Sequence, residues 1–242
     1  MNTIEKQTIG EYVAKDFRTA AIFSKYGIDF CCKGNRTIEE ACSKKGLDFE
    51  EIETKINQLL ETKSENAIDF KSWPSDLLVD YIEKTHHRYV EEKTPILLAF
   101  LDKLCKVHGN AHPELFLINE LFIGCAGELA KHMKKEELIL FPFIKQMANA
   151  IRTQQKLEQP HFGTVENPIA MMKYEHENEG ERFVKIADLT NNYTPPSDAC
   201  NTYKVTFSML QEFEQDLHKH IHLENNILFI KAIEMEEKFT IS

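Results

Sequence analysis

A chain of 242 residues, 42% of them hydrophobic, can bury the core of one large domain or of a small domain beside a larger one. Its formal charge of −10 argues against nucleic acid as a partner, and no run of 18 apolar residues is present to span a membrane. The polar start MNTIEKQTIGEYVAKD lacks the apolar stretch of a signal peptide, so a cytoplasmic protein is expected, with its six cysteines (31, 32, 42, 105, 125 and 200) reduced.

Strand-like alternation is nearly absent and helical periodicity runs throughout, which predicts an all-α protein. Short helices are expected at about 8–15, 17–26, 37–45 and 48–62. Gly27 and Gly46 suit positions just past a helix end, and Thr37 with Glu40 fits a capping box. The stretch DFCCKGN, residues 29–35, falls in the loop between the second and third helices. Its adjacent Cys31 and Cys32 cannot form a low-strain disulfide with each other. A polar boundary, TKSENAIDFKS at 62–72, separates a small N-terminal helical domain (1–65) from a second domain (72–242). Ser72 or Ser75 can cap the next helix, with Pro74 in its first turn. Four long helices are then expected at about 74–107, 113–150, 167–191 and 198–237, broken by HGNAHP, by a stretch near LEQPHFGTVENP and by NNYTPPSD. Four long helices with modest connections predict an antiparallel four-helix bundle.

The second long helix carries an inward seam: Ile118, Phe122, Cys125, Leu129, His132, Glu136, Ile139, Phe143 and Met147. The fourth repeats the pattern with Phe207, Leu210, Phe213, Leu217, His220, Glu224 and Ile227, and the third carries Ile169, Met172, His176, Glu179, Phe183 and Ile186. Two buried carboxylates, each one turn from a buried histidine, require a shared positive partner, and a metal is the economical one. Spacing supports this: His87, His132, His176 and His220 are separated by 45, 44 and 44 residues, one to each helix at a common level. Periodicity leaves the first helix open, because Ile82 favours His86 and Leu98 favours His87. Four histidines and two glutamates exceed the needs of one tetrahedral zinc; two carboxylates bridging two metals, with two histidines each, suit a pair of irons. Glu128, one turn before His132, and Glu175, beside His176, are candidates for an outer contact or a proton and cation relay. His108, His112, His161, His218 and His222 read as surface or loop residues.

The stretch TIGEYVAKDFRTAAIFSKYGIDFCCKGNRTIEEAC resembles the N-terminal domain of the iron–sulfur cluster repair di-iron proteins, the RIC or ScdA family. HMKKEELILFP, YEHENEGE, NNYTPPSDAC and HIHLENNILF resemble the hemerythrin-like domain of the same family, so the likeness covers almost the whole chain. The resemblance implies metal ligands at His87, His132, Glu136, His176, His220 and Glu224; it favours His87 because the family ligand lies eight residues before a proline, here Pro95. It implies two non-haem irons, with an oxo or hydroxo bridge. The implied role is in restoring iron–sulfur clusters damaged by oxidative or nitrosative stress, as an iron donor to damaged iron–sulfur proteins rather than a conventional enzyme. A sensor or carrier of O2 or NO, and a di-iron reductase of NO or peroxide, are the alternatives. Oxygen-carrying hemerythrins have a second histidine where this chain has Gly180, so more open irons are expected; the family glycine after the paired cysteines is Lys33 here. Lys33 and Arg36 are expected to favour thiolate at Cys31 or Cys32, for iron hand-over or a redox role toward a bundle in the same chain or in a homodimer partner.

Overall fold

Four short helices come first in a computed structural model that describes residues 7–62 and 68–240: α1 (Ile9–Lys15), α2 (Thr19–Lys25), α3 (Ile38–Lys45) and α4 (Phe49–Glu61). Reciprocal capping boxes open α1 (Thr8 with Glu11) and α3 (Thr37 with Glu40), and each satisfies two otherwise orphaned amides. The two caps lie side by side, bridged at Thr8 and Thr37, with Gly10 N donating to Gly34 O at 2.7 Å. Of the expected boundary at 62–72, residues 63–67 lie outside the described residues. Beyond it, helix begins at Ser75, with Pro74 as the extended residue before it rather than inside the first turn.

Four long rods follow. α5 joins Ser75–Tyr81, Ile82–His87 and Arg88–His108; α6 joins Glu114–Lys135, Glu136–Leu140 and Phe141–Thr153. α7 is Glu166–Leu189, and α8 joins Asn201–Leu223, Glu224–Leu228 and Phe229–Thr240. Each rod packs on the next and α8 returns to α5, closing an all-α four-helix bundle. Among the described residues, no helix is long and apolar enough to cross a membrane.

The middle segments of α5, α6 and α8 are π-type turns, which place one extra residue in a helical turn. That insertion resolves the ambiguity in the first rod. His86 continues the buried row of Leu78 and Ile82, while His87 begins the row of Val90, Leu97 and Leu101, and both imidazoles point inward. It also corrects the seam of α6: Ile139 is 37% exposed, and Leu140 takes its place in the core. The seams of α7 and α8 are buried as expected.

The N-terminal helices do not stand apart. Ile9, Val13, Ile28 and Phe30 share one apolar cluster with Leu217 and Ile221 of α8, and Ala14 and Phe70 join a second with Leu78, Phe141 and Phe229. This packing overturns the surface assignment of two histidines. His222 is 1% exposed, with its ring 6.0 Å from those of Phe17 and Phe30, and His218 lies 6.0 Å from Phe30. Burial holds His218 below the usual imidazole range and His222 at about 3. α8 is thus covered on two faces, by the bundle and by the N-terminal segment. At the far end of the bundle His108 meets Cys200 Sγ at 3.3 Å and His112 meets Asp198 at 3.1 Å, both partly buried; His161 is exposed.

Candidate metal centre

The inward rows deliver His87 from α5, His132 and Glu136 from α6, His176 from α7, and His220 and Glu224 from α8, all buried. Ligand atoms of His87, Glu136, His220 and Glu224 lie within 4.8 Å of one another, and so do those of His132, Glu136, His176 and Glu224. The glutamates belong to both groups. Glu136 Oε2 is 3.3 Å from His87 Nε2 and 3.4 Å from His132 Nε2. Glu224 divides its oxygens, Oε1 at 2.9 Å from His220 Nε2 and Oε2 at 3.1 Å from His176 Nε2. Both glutamates begin a π-type turn. His86 belongs to neither group: its Nδ1 meets Asp216 Oδ1 at 2.9 Å and its ring stacks on His220.

The donor set fits a cation in each group. Both oxygens of Glu136 and Oε2 of Glu224 are buried without a hydrogen-bond partner, a costly state for an anion lacking a counter-ion. Three histidines are oriented from outside. Nδ1 of His87 donates to Glu137 Oε1 at 3.0 Å, Nδ1 of His132 to Glu175 Oε2 at 2.8 Å, and Nδ1 of His176 to Asn225 Oδ1 at 2.9 Å. The Asn225 amide is oriented by its own Nδ2, which donates to the Cys31 carbonyl at 3.2 Å. With Nδ1–H engaged, Nε2 is the nitrogen each ring turns inward. Nε2 of His132 and of His176 face each other at 3.0 Å, an arrangement that requires a proton or a cation between them.

These outer partners follow a rule of placement. Glu137 follows Glu136, Glu175 precedes His176 and Asn225 follows Glu224, and each reaches back to the histidine of the preceding rod. A residue beside a seam position lies about 100° around the helix and so faces the neighbouring helix. Sequence reasoning found Glu175 this way and missed Glu137 and Asn225, whose signal was the same adjacency. Glu128 is exposed and paired with Lys131 at 3.1 Å. Glu175, which also pairs with Lys135, joins Glu128 and Glu179 in lining an opening beside His132 and His176. Arg182 Nε donates to Glu179 at 3.0 Å on its flank.

Electrostatics of the metal-free protein follow from this packing. Burial pulls His132 down, but Glu136, Glu175 and Glu224 outweigh it and push its pKa up to about 10. The same contest raises His87. Burial and Glu224 push Glu136 up, yet His132 and His87 leave it below the carboxylate range; burial likewise opposes Glu224, which His220 and His176 hold well below it. The His132 bond holds Glu175 at about 2. His132 therefore carries a proton at neutral pH that a metal must displace from Nε2. Uptake of a divalent ion at pH 7 is expected to release protons, and affinity is expected to rise with pH up to about 10, where the imidazole is already neutral. Titration calorimetry in two buffers of different ionisation enthalpy measures the release; identical heats in both would contradict the assignment.

Cys31 and Cys32 are not remote from the seam. Cys32 Sγ donates to the main-chain carbonyl of His176 at 3.4 Å. Asp29 Oδ1 accepts from both cysteine amides, at 3.1 and 2.9 Å, and lies 3.4 Å from Cys31 Sγ. Asp29, Cys31 and Cys32 thus offer one oxygen and two sulfurs within 4.8 Å, a third group that could hold a metal. The thiolate expected at Cys31 is corrected by its surroundings: Cys32, burial and Asp29 push that thiol well above its usual range. Lys33 pairs with Glu177 at 3.3 Å, and Arg36 Nε donates to the Lys33 carbonyl.

A four-helix bundle enclosing two His–Glu groups that share their carboxylates is a hemerythrin-like cation-binding domain. The family model for the hemerythrin HHE cation binding domain matches residues 78–232, and ScdA_N, a domain of unknown function, matches residues 5–60. The chain is 35% identical over 227 residues to the iron-sulfur cluster repair protein YtfE of Citrobacter koseri, covering 94% of this chain and 96% of that one. It is also 35% identical over 231 residues to a probable iron-sulfur cluster repair protein of Haemophilus influenzae, covering 94% and 97%. The chain belongs to this family of iron–sulfur cluster repair proteins, in which an ScdA-type N-terminal domain precedes a hemerythrin-type bundle.

Proposed function

We propose that the chain holds two irons in the bundle and donates iron in the repair of iron–sulfur clusters damaged by oxidative or nitrosative stress. The observation that carries the reading is the pair of buried two-histidine groups sharing Glu136 and Glu224. His87 and His220 would hold one ion, His132 and His176 the other, and the two carboxylates would hold both. Six donors of mixed imidazole and carboxylate character exceed a tetrahedral zinc site and match paired iron. When bound, the irons supply exchangeable, redox-active cations. The protein contributes oriented Nε2 donors, a buried site, and an acidic opening in which Glu128 and Glu175 would relay the cation. The relatives' names as repair proteins support the role. The cluster of Asp29, Cys31 and Cys32 beside His176 supports a place for the cysteines in hand-over, from thiols rather than a standing thiolate at Cys31.

The test is anaerobic incubation of the iron-loaded protein with an iron–sulfur enzyme whose cluster has been destroyed by nitric oxide. Recovery of enzyme activity matched by loss of iron from this chain is the expected result. Full iron retention, together with steady NO consumption in the presence of a reductant, would replace the donor reading with a reductase.

A further inference from the structure

The two halves of the centre are supported differently. In the first, the His87 ring is held by Glu137 and stacks 5.5 Å from Phe141, both within the bundle. His220 packs between His86 and His87, again within the bundle. In the second half, His176 is held through the N-terminal loop. Its ring leans on Asn225, whose amide is tied to the Cys31 carbonyl, and its main-chain carbonyl accepts from Cys32 Sγ. The neighbouring Asn226 fastens the same loop, donating to the carbonyls of Phe30 at 3.2 Å and Cys31 at 3.3 Å. Gly180, one turn beyond His176, lies beside the sulfur: a Cβ there would lie 3.4 Å from Cys32 Sγ, in van der Waals contact.

Building on the iron-holding reading above, we propose that the Cys31–Cys32 loop is a clamp on His176, so that seating of the loop through Asn225 and Cys32 sets how firmly the His132–His176 half keeps its ion. The half built on His87 and His220 takes its outer support from within the bundle and meets the other half at Glu136 and Glu224. The asymmetry follows from how a metal-bound imidazole is held. Its basicity and direction depend on the acceptor at its other nitrogen, and loss of such an outer partner costs about 10- to 100-fold in metal affinity. Lifting the loop removes the support of Asn225 and the Cys32 bond together, on one side only. Asn225 is a positioning residue: it acts on the ion through His176.

The experiment uses the full-length protein. Transfer of Fe(II) to a colorimetric chelator is timed for wild type, Asn225→Ala, Asn225→Asp, Cys32→Ala and Cys32→Ser. Two phases of about one iron each are expected in wild type, with the faster from the His132–His176 half. Asn225→Ala is expected to accelerate that phase alone, by about 10- to 100-fold. Asn225→Asp keeps an acceptor for the ring but loses the donor to Cys31, and is expected to accelerate it less. Cys32→Ala is expected to accelerate the same phase and Cys32→Ser, which keeps a donor, to restore it. Proton NMR of the Co(II)-loaded proteins identifies the half through the shifted, exchangeable imidazole N–H signals of His87, His132 and His176. In Asn225→Ala the His176 signal should be lost to exchange with solvent while that of His87 persists. A single release phase in wild type, equal acceleration of both phases, unchanged release in Asn225→Ala and Cys32→Ala, or loss of the His87 signal first would each overturn the clamp. If Asn225→Ala does not fold, Asn225→Asp and the Cys32 pair decide by the same readings. Glu136→Ala distinguishes the failures: two irons retained there would overturn the centre itself, whereas iron loss there with unchanged release in the clamp variants would overturn the clamp alone.

Discussion

Replacing Glu136 and Glu224 together by alanine is expected to yield a chain that folds and holds almost no iron. Each carboxylate belongs to both His–Glu groups, so its removal withdraws a ligand from both positions, whereas removing one histidine withdraws a ligand from one. Each single replacement should therefore lose most of the iron. The fold should survive, because the apolar seams of the four rods, rather than these two side chains, hold the bundle together. Iron per chain by elemental analysis after anaerobic reconstitution is the measurement, with circular dichroism as the check on helix content. Full occupancy in the double variant would refute the assignment of these six side chains.

His87→Ala and His86→Ala should differ in iron content. The Nε2 of His87 faces Glu136 while its other nitrogen is anchored on Glu137, so its loss should bring iron toward one per chain, besides the stability lost with a buried, stacked ring. His86 is equally buried, but its Nδ1 meets Asp216 and its ring stacks on His220 at 5.6 Å. Its loss leaves a cavity and an unpaired, partly buried carboxylate, which should cost about 2 kcal/mol of stability while iron binding persists. Iron content separates the two, with thermal melting of the metal-free proteins as the check that both fold. Iron loss on replacing His86 with retention on replacing His87 would exchange their roles.

The ambiguity between these neighbours shows where sequence reasoning meets its boundary. A row of fixed helical period, drawn back from Leu97 and Val90, reaches His87; the row from Leu78 and Ile82 reaches His86. Both rows are real, because the π-type turn Ile82–His87 adds a residue between them. The same kind of turn at Glu136–Leu140 moved the core position from Ile139 to Leu140. A widened turn leaves little trace in the pattern of apolar residues: it weakens local hydrogen bonding and persists where surrounding packing compensates.

Periodicity and residue type were sufficient by themselves for the all-α class, the four rods, and the five buried donors from His132 to Glu224, because amphipathic helices of this length must turn their apolar stripes together and a buried His–Glu pair needs a partner. Contacts made across the chain decided the rest. The burial of His222, the seating of Cys31 and Cys32 against His176, and the tie from Asn225 to the Cys31 carbonyl all depend on the N-terminal helices covering a second face of α8. Asn225 and Cys31 are 194 residues apart, and no local pattern specifies which face of a bundle a separate segment will cover. The raised thiol of Cys31 is partly local: nearby basic charge in sequence suggested a thiolate, but the contact with Cys32, burial and the contact with Asp29 set the sign.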